Sequence, residues 1–530
     1  MNQKALYLAL AVLFLLPKAN AQTTPDWATG VAPILYNHCT GCHHNGGIAP
    51  FALITFMDAL NNAPAMLYDV QHKIMPPWPP DPSYNRLAHE RILSVQEIAT
   101  ISDWINGNTP QGNPALAPPA PIYSNTGDIP GTPDFVGQIP TFTSPATIGH
   151  DVYQCFVIPN TQSVDRFITA FEAIPGNPSI VHHVLVFADT TGICRHLDSL
   201  SPGPGYLDFG GVGTDSAVLI GAWVPGSAPV IYPNPFGVLL PHNADIVLQI
   251  HYPGGTIGKS DSTQIHLFFS PIANNSIMRN LYIAPVLNHY SNINAPLFIP
   301  ADSTRSFHET YGPVPVDFSL LGVAPHMHLI GKNIKTYGIT PTLDTQKFIR
   351  INKWDFHWQG FYLFRNIQKV SAGTKIEADA YYDNTFNNIN NPTLPPVDVY
   401  AGENTTDEMM LVFYVFTIYQ QGDENVVIDS TPLVNVMPVT YYHGQQLLTP
   451  YPNPASKELI VKCYFDEADK AKIDLLDMNG KIAQHFAENI SVNNGYSTFT
   501  YHLDNLPNGE YILQLKTSRQ KLTQKVIIQH

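Results

Sequence analysis

The sequence predicts a multidomain, mainly β protein that begins with an α-helical domain. Only 13% of its 530 residues are charged, whereas it has 26 Tyr, 26 Phe and 47 Pro, a composition typical of β-rich, secreted folds with many turns. Short apolar or alternating runs recur between turn residues from about residue 148 onward, which indicates strands. Apolar spacing near 3.6 residues, which indicates helices, occurs in residues 22–115.

The N-terminus has the pattern of an export signal. Met1 to Lys4 carries one positive charge and precedes an apolar run, Ala5 to Leu16, that is too short to span a bilayer. Ala19-Asn20-Ala21 is a small-x-small cleavage site, so residues 1–21 are expected to be a signal peptide and Gln22 the first mature residue. An uncleaved membrane anchor is the alternative. The net charge of -15 argues against nucleic acid and anionic lipid as partners.

Three helices are expected in the first mature domain, residues 22–115. Apolar spacing predicts them at Val31–Asn37, Asp58–Lys73 and Ser94–Asn106. Ser94 and Glu97 form an S-x-x-E capping box at the start of the last one. The Pro-, Gly-, Thr- and Asn-rich residues 116–147 predict a linker or an extended wrap.

The pattern C-x-x-C-H, by which c-type haem is attached, occurs at Cys39-Thr40-Gly41-Cys42-His43. The two thiols of this pattern add to the vinyl groups of one porphyrin edge, and the imidazole of His43 then reaches the iron. Met75 is the candidate sixth ligand, because a thioether raises the haem potential and the two prolines after Met75 stiffen the segment that presents it. Residues 25–110 resemble a single-haem class of cytochrome c, which implies one covalently bound haem c.

Two other chemistries fit the same five residues. One is a redox dithiol, and the other is a zinc site formed by Cys39, Cys42, His43 and His44. The remaining histidines of the segment are expected to be surface residues rather than ligands: His38, His44, His72 and His89.

Residues 148–425 are expected to form strands. The runs that predict them include IVHHVLVF, DIVLQIHY, TQIHLFF, KIEADAYY and MMLVFYVF. One β-sandwich rarely needs about 280 residues, so two packed sandwiches are expected, at residues 148–298 and 299–425.

Histidines and methionines of this β region are candidate metal ligands. His326 and His328 are two apart, so on a strand they point to one face and can bind one metal. His182 and His183 are adjacent, so they can share a metal only at a bulge or a strand end, where His251 would complete a three-nitrogen site. A His-His-Met set of His326, His328 and Met409 would favour copper that cycles through Cu(I). A buried, hydrogen-bonded core histidine is the alternative for each one taken singly.

The ordered set HH, QIHY, HMH and DEM resembles the copper type II ascorbate-dependent monooxygenases, the family of peptidylglycine α-hydroxylating and dopamine β-monooxygenases. The resemblance covers roughly residues 150–420 and includes DVYQCF at Asp151–Phe156, Gly331-Lys332, and FHWQGF at Phe356–Phe361. It implies two jelly-roll-like sandwiches, each with one copper, and a solvated cleft between them.

The resemblance also implies roles for six residues. His182, His183 and His251 would bind the electron-transfer copper, and His326, His328 and Met409 the copper that meets O2. Met409 is preferred over Met410 because it follows Asp-Glu directly, as in the family motif. The implied reaction is hydroxylation of a C–H bond with O2.

Three positions depart from the peptidylglycine enzymes. Their substrate-binding Arg, Asn and Tyr are replaced by Ala324, Leu411 and Phe413, so a peptide carboxylate would be left unpaired and amidation is not expected. The local sequence is nearer the dopamine branch, although nothing in it selects a catecholamine. His357 could support the site or simply pack.

The chain has five cysteines, too few for disulfides to be its main scaffold. Beyond Cys39 and Cys42, an exported protein could pair Cys155 with Cys194 in a disulfide, and Cys463 is left over.

The last segment, residues 445–530, follows a predicted linker at 426–444. Its short strands and tight turns predict a small, seven-strand, immunoglobulin-like sandwich. The motifs YPNPA at Tyr451–Ala455, D-x-N-G-K at Asp477–Lys481 and LPNGEYIL at Leu506–Leu513 resemble the C-terminal sorting domain of the type IX secretion system. That resemblance implies export across the outer membrane, with an adhesive or carbohydrate-binding sandwich as the alternative.

Together these features predict a secreted copper monooxygenase with two copper ions and one haem c. O2, a small organic substrate and an external electron donor, ascorbate-like or a redox protein, are the expected partners, and the haem would relay electrons to copper. The alternative is a non-catalytic haem- and copper-binding electron-transfer or surface protein. A hydrolase is not expected, because the chain has no G-x-S-x-G, Walker A or H-E-x-x-H motif.

Overall fold

The computed structural model describes residues 24–123, 127–208, 211–225, 229–431, 446–447, 450, 452–465, 469–478, 480–492, 495–503, 506–518 and 521–530. The predicted signal peptide, the start at Gln22, most of the linker at 426–444, and Tyr451 and Asn479 of the sorting motifs lie outside these residues. Strands make up 40% of the chain and helices 12%, so the mainly β class is confirmed. The chain forms two compact units, one of residues 1–384 with 390–437 and one of residues 385–389 with 438–530.

The three predicted N-terminal helices are present, each within two residues of its expected bounds. The helical elements are a π-helical turn Trp27–Val31, the helices Ala32–His38, Phe56–Gln71 and Val95–Asn106, and a short 3₁₀ turn Pro114–Leu116. The predicted capping box is confirmed: the Ser94 hydroxyl accepts from the Glu97 N–H, and the Glu97 carboxylate accepts from the Ser94 N–H. Trp104 and Ile101 of the last helix are fully buried against Val31 and Leu35 of the first two elements.

Two sheets form the first sandwich. One contains the strands Phe135–Gln138, Gln264–Phe269, Arg166–Ile174, Phe236–Leu240 and Arg279–Asn280 in this order, with Val230–Ile231 on Arg166–Ile174. The other contains Tyr206–Leu207, Val152–Ile158, Asp245–Tyr252, His183–Asp189 and Val218–Trp223 in this order, and Phe142–Thr143 pairs separately with Ser260–Asp261. An unpredicted helix, Ile193–Leu200, and a 3₁₀ turn, Ile272–Asn274, interrupt the strands.

The first sandwich begins earlier than the sequence predicted. Strands Phe135–Gln138 and Phe142–Thr143 lie within the segment expected to be a linker, residues 116–147. Phe135–Gln138 is an edge strand that pairs with Gln264–Phe269, and prolines and glycines are tolerated beside an edge strand. Turn-rich composition therefore hid two short strands.

The second sandwich also has two sheets. One contains Tyr282–Asn288, Leu411–Ile418, Phe318–His326 and Tyr362–Val370 in this order. The other contains Thr304–Tyr311, Lys375–Asp383, Gly331–Ile339 and Thr345–Ile351 in this order. Phe298–Ile299 pairs separately with Val399–Tyr400, and Asp423–Asn425 forms a 3₁₀ turn. Tyr282–Asn288 precedes the predicted boundary at 298, yet it pairs with Leu411–Ile418. The second sandwich therefore begins near Tyr282.

The two sandwiches pack through one sheet of the second. Its outward face places Leu321, Ile367 and Val415 in the apolar core of the first sandwich, while its inward face supplies Val323, Val412 and Tyr414 to a separate core. In Leu411–Ile418 the neighbours Tyr414 and Val415 serve the two cores in turn, whereas Leu321 reaches the first core at an irregularity of its strand between Leu320 and Gly322.

The C-terminal unit has seven strands in two sheets among its described residues. Gln446–Leu447, Glu458–Phe465 and Gly495–His502 form one sheet, and Ile482–Val492, Asp469–Asp477, Gly509–Lys516 and Lys521–Ile528 form the other. This strand number is the one that the sequence predicted. In the described part of the whole chain, no helix is long and apolar enough to cross a membrane.

Candidate metal centres

His182, His183 and His251 meet at the end of two paired strands. His183 is the first residue of His183–Asp189 and is the register partner of His251 on Asp245–Tyr252. His182 lies just before the strand, and its backbone N–H donates to the carbonyl of His251 at 2.9 Å. The strand end therefore frees His182 from the alternation that would otherwise turn it away from His183.

The donor atoms of these three imidazoles have the spacing of a metal site. The Nδ1 atom of His182 lies 3.3 Å from that of His183 and 3.2 Å from that of His251. Two nitrogen ligands about 2.0–2.1 Å from a tetrahedral metal would stand about 3.3 Å apart. Among the described residues, this is the one group of three or more His, Cys, Asp or Glu whose donor atoms all lie within 4.8 Å of one another.

The surroundings keep these rings neutral and oriented. Burial, reinforced by the neighbouring imidazoles, holds the pKa of His182 and His183 well below the ordinary value, so their lone pairs are available to a metal. Asp151 Oδ2 lies 3.2 Å from His251 Nε2, the nitrogen that points away from the cluster. Although burial opposes ionisation, contacts with His251, Thr405 and Gly254 lower the pKa of Asp151 to about 2. This is the carboxylate–imidazole arrangement that orients metal ligands.

His326, His328 and the two methionines lie at one end of the second sandwich. His326 ends the strand Phe318–His326 and is the register partner of Leu411, which follows Met409 and Met410 directly. The Nδ1 atom of His326 lies 2.6 Å from Gln359 Oε1, and that of His328 lies 3.1 Å from the carbonyl oxygen of Asp407. Both contacts occupy Nδ1 and leave Nε2 for a metal.

Met409 and Met410 differ in the face that they occupy. Met410 is fully buried in the core of the second sandwich together with Val412 and Tyr414, which fixes the inward parity of the strand. Both methionines lie just before the strand Leu411–Ile418, whose first residue is the register partner of His326. Because Met410 belongs to the core and Met409 is not among its members, Met409 is the better candidate for a neighbour of the two histidines.

Glu408 ties this second group together, and sequence reasoning gave it no role. Its fully buried carboxylate accepts hydrogen bonds from the backbone N–H groups of His328 and Ile330, both at 2.9 Å, and of Met409 at 3.2 Å. The Asp-Glu-Met motif thus fixes the loop after His326 to the segment that carries Met409. Its position directly before the methionine was the available signal.

Phe356 contacts both histidine groups. Its ring is stacked on His182, with centroids 4.8 Å apart and planes at 16°, and it meets the His328 ring edge-on at 5.9 Å. The same loop supplies Gln359, which holds His326. His357 of this loop is exposed and bonded to Asp355, so it lies beside the site without entering it. The sequence marked the FHWQGF stretch only as part of a resemblance.

The Cys-x-x-Cys-His loop follows the helix Ala32–His38. The Nδ1 atom of His43 lies 3.0 Å from the carbonyl oxygen of Phe51, which leaves Nε2 for a metal. Cys39 and Cys42 are free thiols. Met75 is half-buried, and its N–H donates to the carbonyl of Asp69 at the end of Phe56–Gln71.

Neither a redox dithiol nor a zinc site is favoured at this loop. Burial raises the pKa of the Cys39 thiol to about 12, whereas a redox dithiol needs an accessible thiolate. His44 turns its Nδ1 to the carbonyl of Thr40 and stacks on Tyr123 at 4.1 Å. In the described residues, Cys39, Cys42, His43 and His44 do not gather as a metal cluster.

The other histidines of this domain have local partners. His38 Nε2 lies 3.0 Å from Glu97 Oε1, His72 Nδ1 lies 2.7 Å from the Tyr68 carbonyl, and His89 is exposed.

The candidate disulfide is not formed. Cys155 and Cys194 are both free thiols, buried in one small apolar cluster with Tyr206, Val212 and Val247. Their Sγ atoms approach different backbone carbonyls, those of Gly211 and Val212 respectively, instead of each other. Cys463 is also free and is buried in the core of the C-terminal unit.

Two family models match the chain. Residues 290–433 match the copper type II ascorbate-dependent monooxygenase, C-terminal domain. Residues 449–529 match the secretion system C-terminal sorting domain. The first match supports copper-dependent monooxygenase chemistry at a general level. The second shows that the protein is exported through the type IX system, either to the cell surface or into the medium. Neither match covers the N-terminal helical domain.

Other comparisons contribute little. No curated protein matches the chain. Among solved structures, the β-glucuronidase of Parabacteroides merdae is 12% identical over 43% of this chain and 28% of its own, with a TM-score of 0.13. The β-D-glucuronidase of Dictyoglomus thermophilum is 13% identical over 47% of this chain and 44% of its own, with a TM-score of 0.11. The chain thus spans less than half the length of either, and likenesses this weak establish neither fold nor activity.

Proposed function

We propose that this protein is a secreted copper-dependent monooxygenase that hydroxylates a C–H bond of a small organic substrate with O2. A c-type haem on the same chain relays electrons from an external donor. The observation that carries the proposal is the convergence of His182, His183 and His251, with the Nδ1 atom of His182 3.2–3.3 Å from those of the other two, next to a second group that contains His326 and His328.

The three-histidine group is the proposed electron-transfer centre. Three neutral imidazoles at this spacing can hold copper in either oxidation state, and burial keeps them unprotonated. The Asp151 carboxylate lies 3.2 Å from His251 Nε2, and Tyr153 stacks on the His251 ring at 4.2 Å. These contacts leave the rings little freedom to move, which favours rapid electron exchange.

The second group is the proposed centre for O2, with His326, His328 and Met409 as ligands. Two imidazoles and a soft thioether suit copper better than zinc, magnesium or calcium. Bound copper would supply one-electron redox chemistry and a site for O2. Gln359 and Asp407 orient the two rings, and Glu408 holds the backbone of both ligand segments in place.

The wall beside the second centre favours an apolar substrate. Ala324 and Phe413 are register partners on adjacent strands, and Phe413 and Phe361, with ring centroids 6.3 Å apart, both pack against the apolar core of the first sandwich. A charged substrate group placed against this wall would lose its hydration without gaining a partner. The substrate is therefore expected to present an uncharged C–H group to this centre, which agrees with the loss of the carboxylate-binding residues.

The haem proposal rests on the loop at residues 39–43. Cys39 and Cys42 are free to form two thioether bonds, and His43 presents Nε2 while Phe51 holds Nδ1. Met75 is the proposed sixth ligand. The donor set of two thiols, one imidazole and one thioether fits a c-type haem.

Labelled O2 tests the proposed reaction. The full chain, matured with haem and loaded with copper, is supplied with a reductant and a mixture of small organic compounds, and products are searched for one labelled oxygen atom. Incorporation that requires copper and disappears in His326→Ala supports a monooxygenase. Copper and haem binding without incorporation would instead indicate the non-catalytic electron-transfer or surface protein.

A further inference from the structure

The haem-binding domain contacts the second sandwich through one continuous strap, residues 78–91. Pro80 forms a strand bridge with Ile351, and Leu87 forms another with Phe364. The buried Asp81 carboxylate accepts from Arg350 Nε at 3.0 Å and from Asn352 at 2.6 Å. The strap is therefore fixed to the sandwich by backbone pairing and by a buried ion pair.

At the start of this strap, two aromatic rings join the domains. Trp78 lies three residues after Met75, and its ring meets that of Tyr362 edge-on, with centroids 5.5 Å apart and planes at 87°. Tyr362 is buried, and the Trp78 indole Nε1 is buried without a hydrogen-bond partner. A buried indole without a partner gains nothing from its N–H, so packing of the ring is its evident contribution here.

Arg91 connects this pair to the haem attachment loop. Its guanidinium carbon lies 5.9 Å from the centre of the Trp78 ring. Its charge also opposes the rise in pKa that burial causes at the Cys42 thiol and at the Tyr362 hydroxyl. Arg91 thus lies beside the Trp78 ring and acts electrostatically on groups of both domains.

From Tyr362 the connection to the second centre is short. Tyr362 is the register partner of Val323, which lies three residues before His326 on the same strand. Gln359, three residues before Tyr362, holds His326 Nδ1 at 2.6 Å. A route therefore runs along the chain from Met75 to Trp78, across the ring contact to Tyr362, and along the chain again to Gln359, which contacts His326.

A second route from the attachment loop would lead to the three-histidine centre. Trp223 is the register partner of Val184, next to His183, so it stands close to that centre along its own sheet. Trp223 and Cys42 line one cavity of about 620 Å³, whereas the rings of Trp78 and Tyr362 are in direct contact. Direct contact between rings favours electron tunnelling.

We infer that the Trp78–Tyr362 pair is an electron path by which the haem reduces the His326/His328/Met409 centre, while the three-histidine centre supplies the second electron of each reaction. This inference rests on the proposed function. Each transfer oxidises one haem iron(II) to iron(III) and reduces one copper(II) to copper(I), with no bond or proton exchanged. The external one-electron donor then reduces the haem again.

Flash reduction of the haem tests the path without turnover. The full chain with haem and copper(II) is reduced by a photogenerated one-electron donor in the absence of O2, and haem reoxidation is followed by absorbance. Trp78→Leu and Tyr362→Leu are expected to slow reoxidation on the order of tenfold. Tyr362→Phe, which keeps the ring, should retain the rate, and Trp223→Leu, the matched control on the competing route, should leave it unchanged.

The outcomes separate this inference from the function on which it rests. Haem spectrum, haem potential and copper content are measured in each variant, so that a rate change is compared only between intact proteins. Copper-dependent reoxidation that is equally fast in Trp78→Leu and Tyr362→Leu, or slowed by Trp223→Leu, overturns the path but leaves the relay intact. An unaltered protein whose haem stays reduced beside copper(II) overturns both.

Discussion

The Glu408 carboxylate accepts a hydrogen bond from the backbone N–H of His328 at 2.9 Å, although the two residues are 80 positions apart in the sequence. The same carboxylate accepts from Ile330 and Met409, so one buried side chain joins the two segments that supply the proposed second centre. Its contribution can be measured separately from that of the ligands.

Replacement of Glu408 by Ala should destabilise the protein and weaken the second centre. Three backbone N–H groups would lose their acceptor, and each buried, unsatisfied donor costs about 1–3 kcal/mol. We expect the free energy of unfolding to fall by roughly 3 kcal/mol or more, with loss of about one copper per chain. Glu377→Ala, at a half-exposed carboxylate of the same sandwich, is the control and should change stability by about 0.5 kcal/mol or less. Equal effects of the two substitutions would argue against the role of Glu408.

Met409 and Met410 provide a matched pair of substitutions. Met410→Ala removes a fully buried side chain from the core and should lower the free energy of unfolding by about 2–5 kcal/mol without changing copper binding. Met409→Ala should cause a smaller loss of stability but should weaken copper binding at the second centre. Copper titration and denaturant unfolding measure the two effects. Loss of copper from Met410→Ala alone would reverse the assignment.

Covalent haem attachment should depend on the two cysteines of the N-terminal loop. With c-type haem maturation, the full chain is expected to retain one haem after denaturation, and Cys39→Ser combined with Cys42→Ser should lose it. Cys155→Ser is the control, because this buried thiol lies in a different cluster of the fold. A protein that contains zinc instead of haem under these conditions would contradict the proposal.

Glu309 should make stability depend on pH. It is fully buried, neither of its carboxylate oxygens has a hydrogen-bond partner, and burial raises its pKa from 4.5 to about 8. The folded protein keeps this proton to higher pH than the unfolded chain. The stabilising contribution of the protonated Glu309 to the free energy of unfolding is therefore complete below about pH 4.5 and is lost as the pH rises to about 8. Glu309→Gln should therefore leave the melting temperature near pH 5 unchanged and raise stability at pH 9 by roughly a few kcal/mol. Parallel melting curves of the two proteins across this range would refute the prediction.

The sequence identified the histidines that the structure brings together, because ligand chemistry depends on residue type, but it missed the contacts that only the tertiary structure creates. It stated the condition on which His182 and His183 could share a metal, a strand end, and His182 lies at such an end. The role of Phe356 could not be predicted from the sequence, because its ring contacts His182 of the first sandwich and His328 of the second. The sequence also placed the boundary between the sandwiches too late, because the pairing of Tyr282–Asn288 with Leu411–Ile418 joins strands more than 120 residues apart.

Copper content tests the central claim most directly. The full chain, loaded with copper and dialysed, is predicted to hold two coppers, with one remaining in His251→Ala, one in His326→Ala and none in the double variant. His242→Ala, at an exposed histidine paired with Asp165, should keep both. A chain that binds fewer than two coppers, or single variants that keep both, would contradict the assignment of two metal centres to these residues.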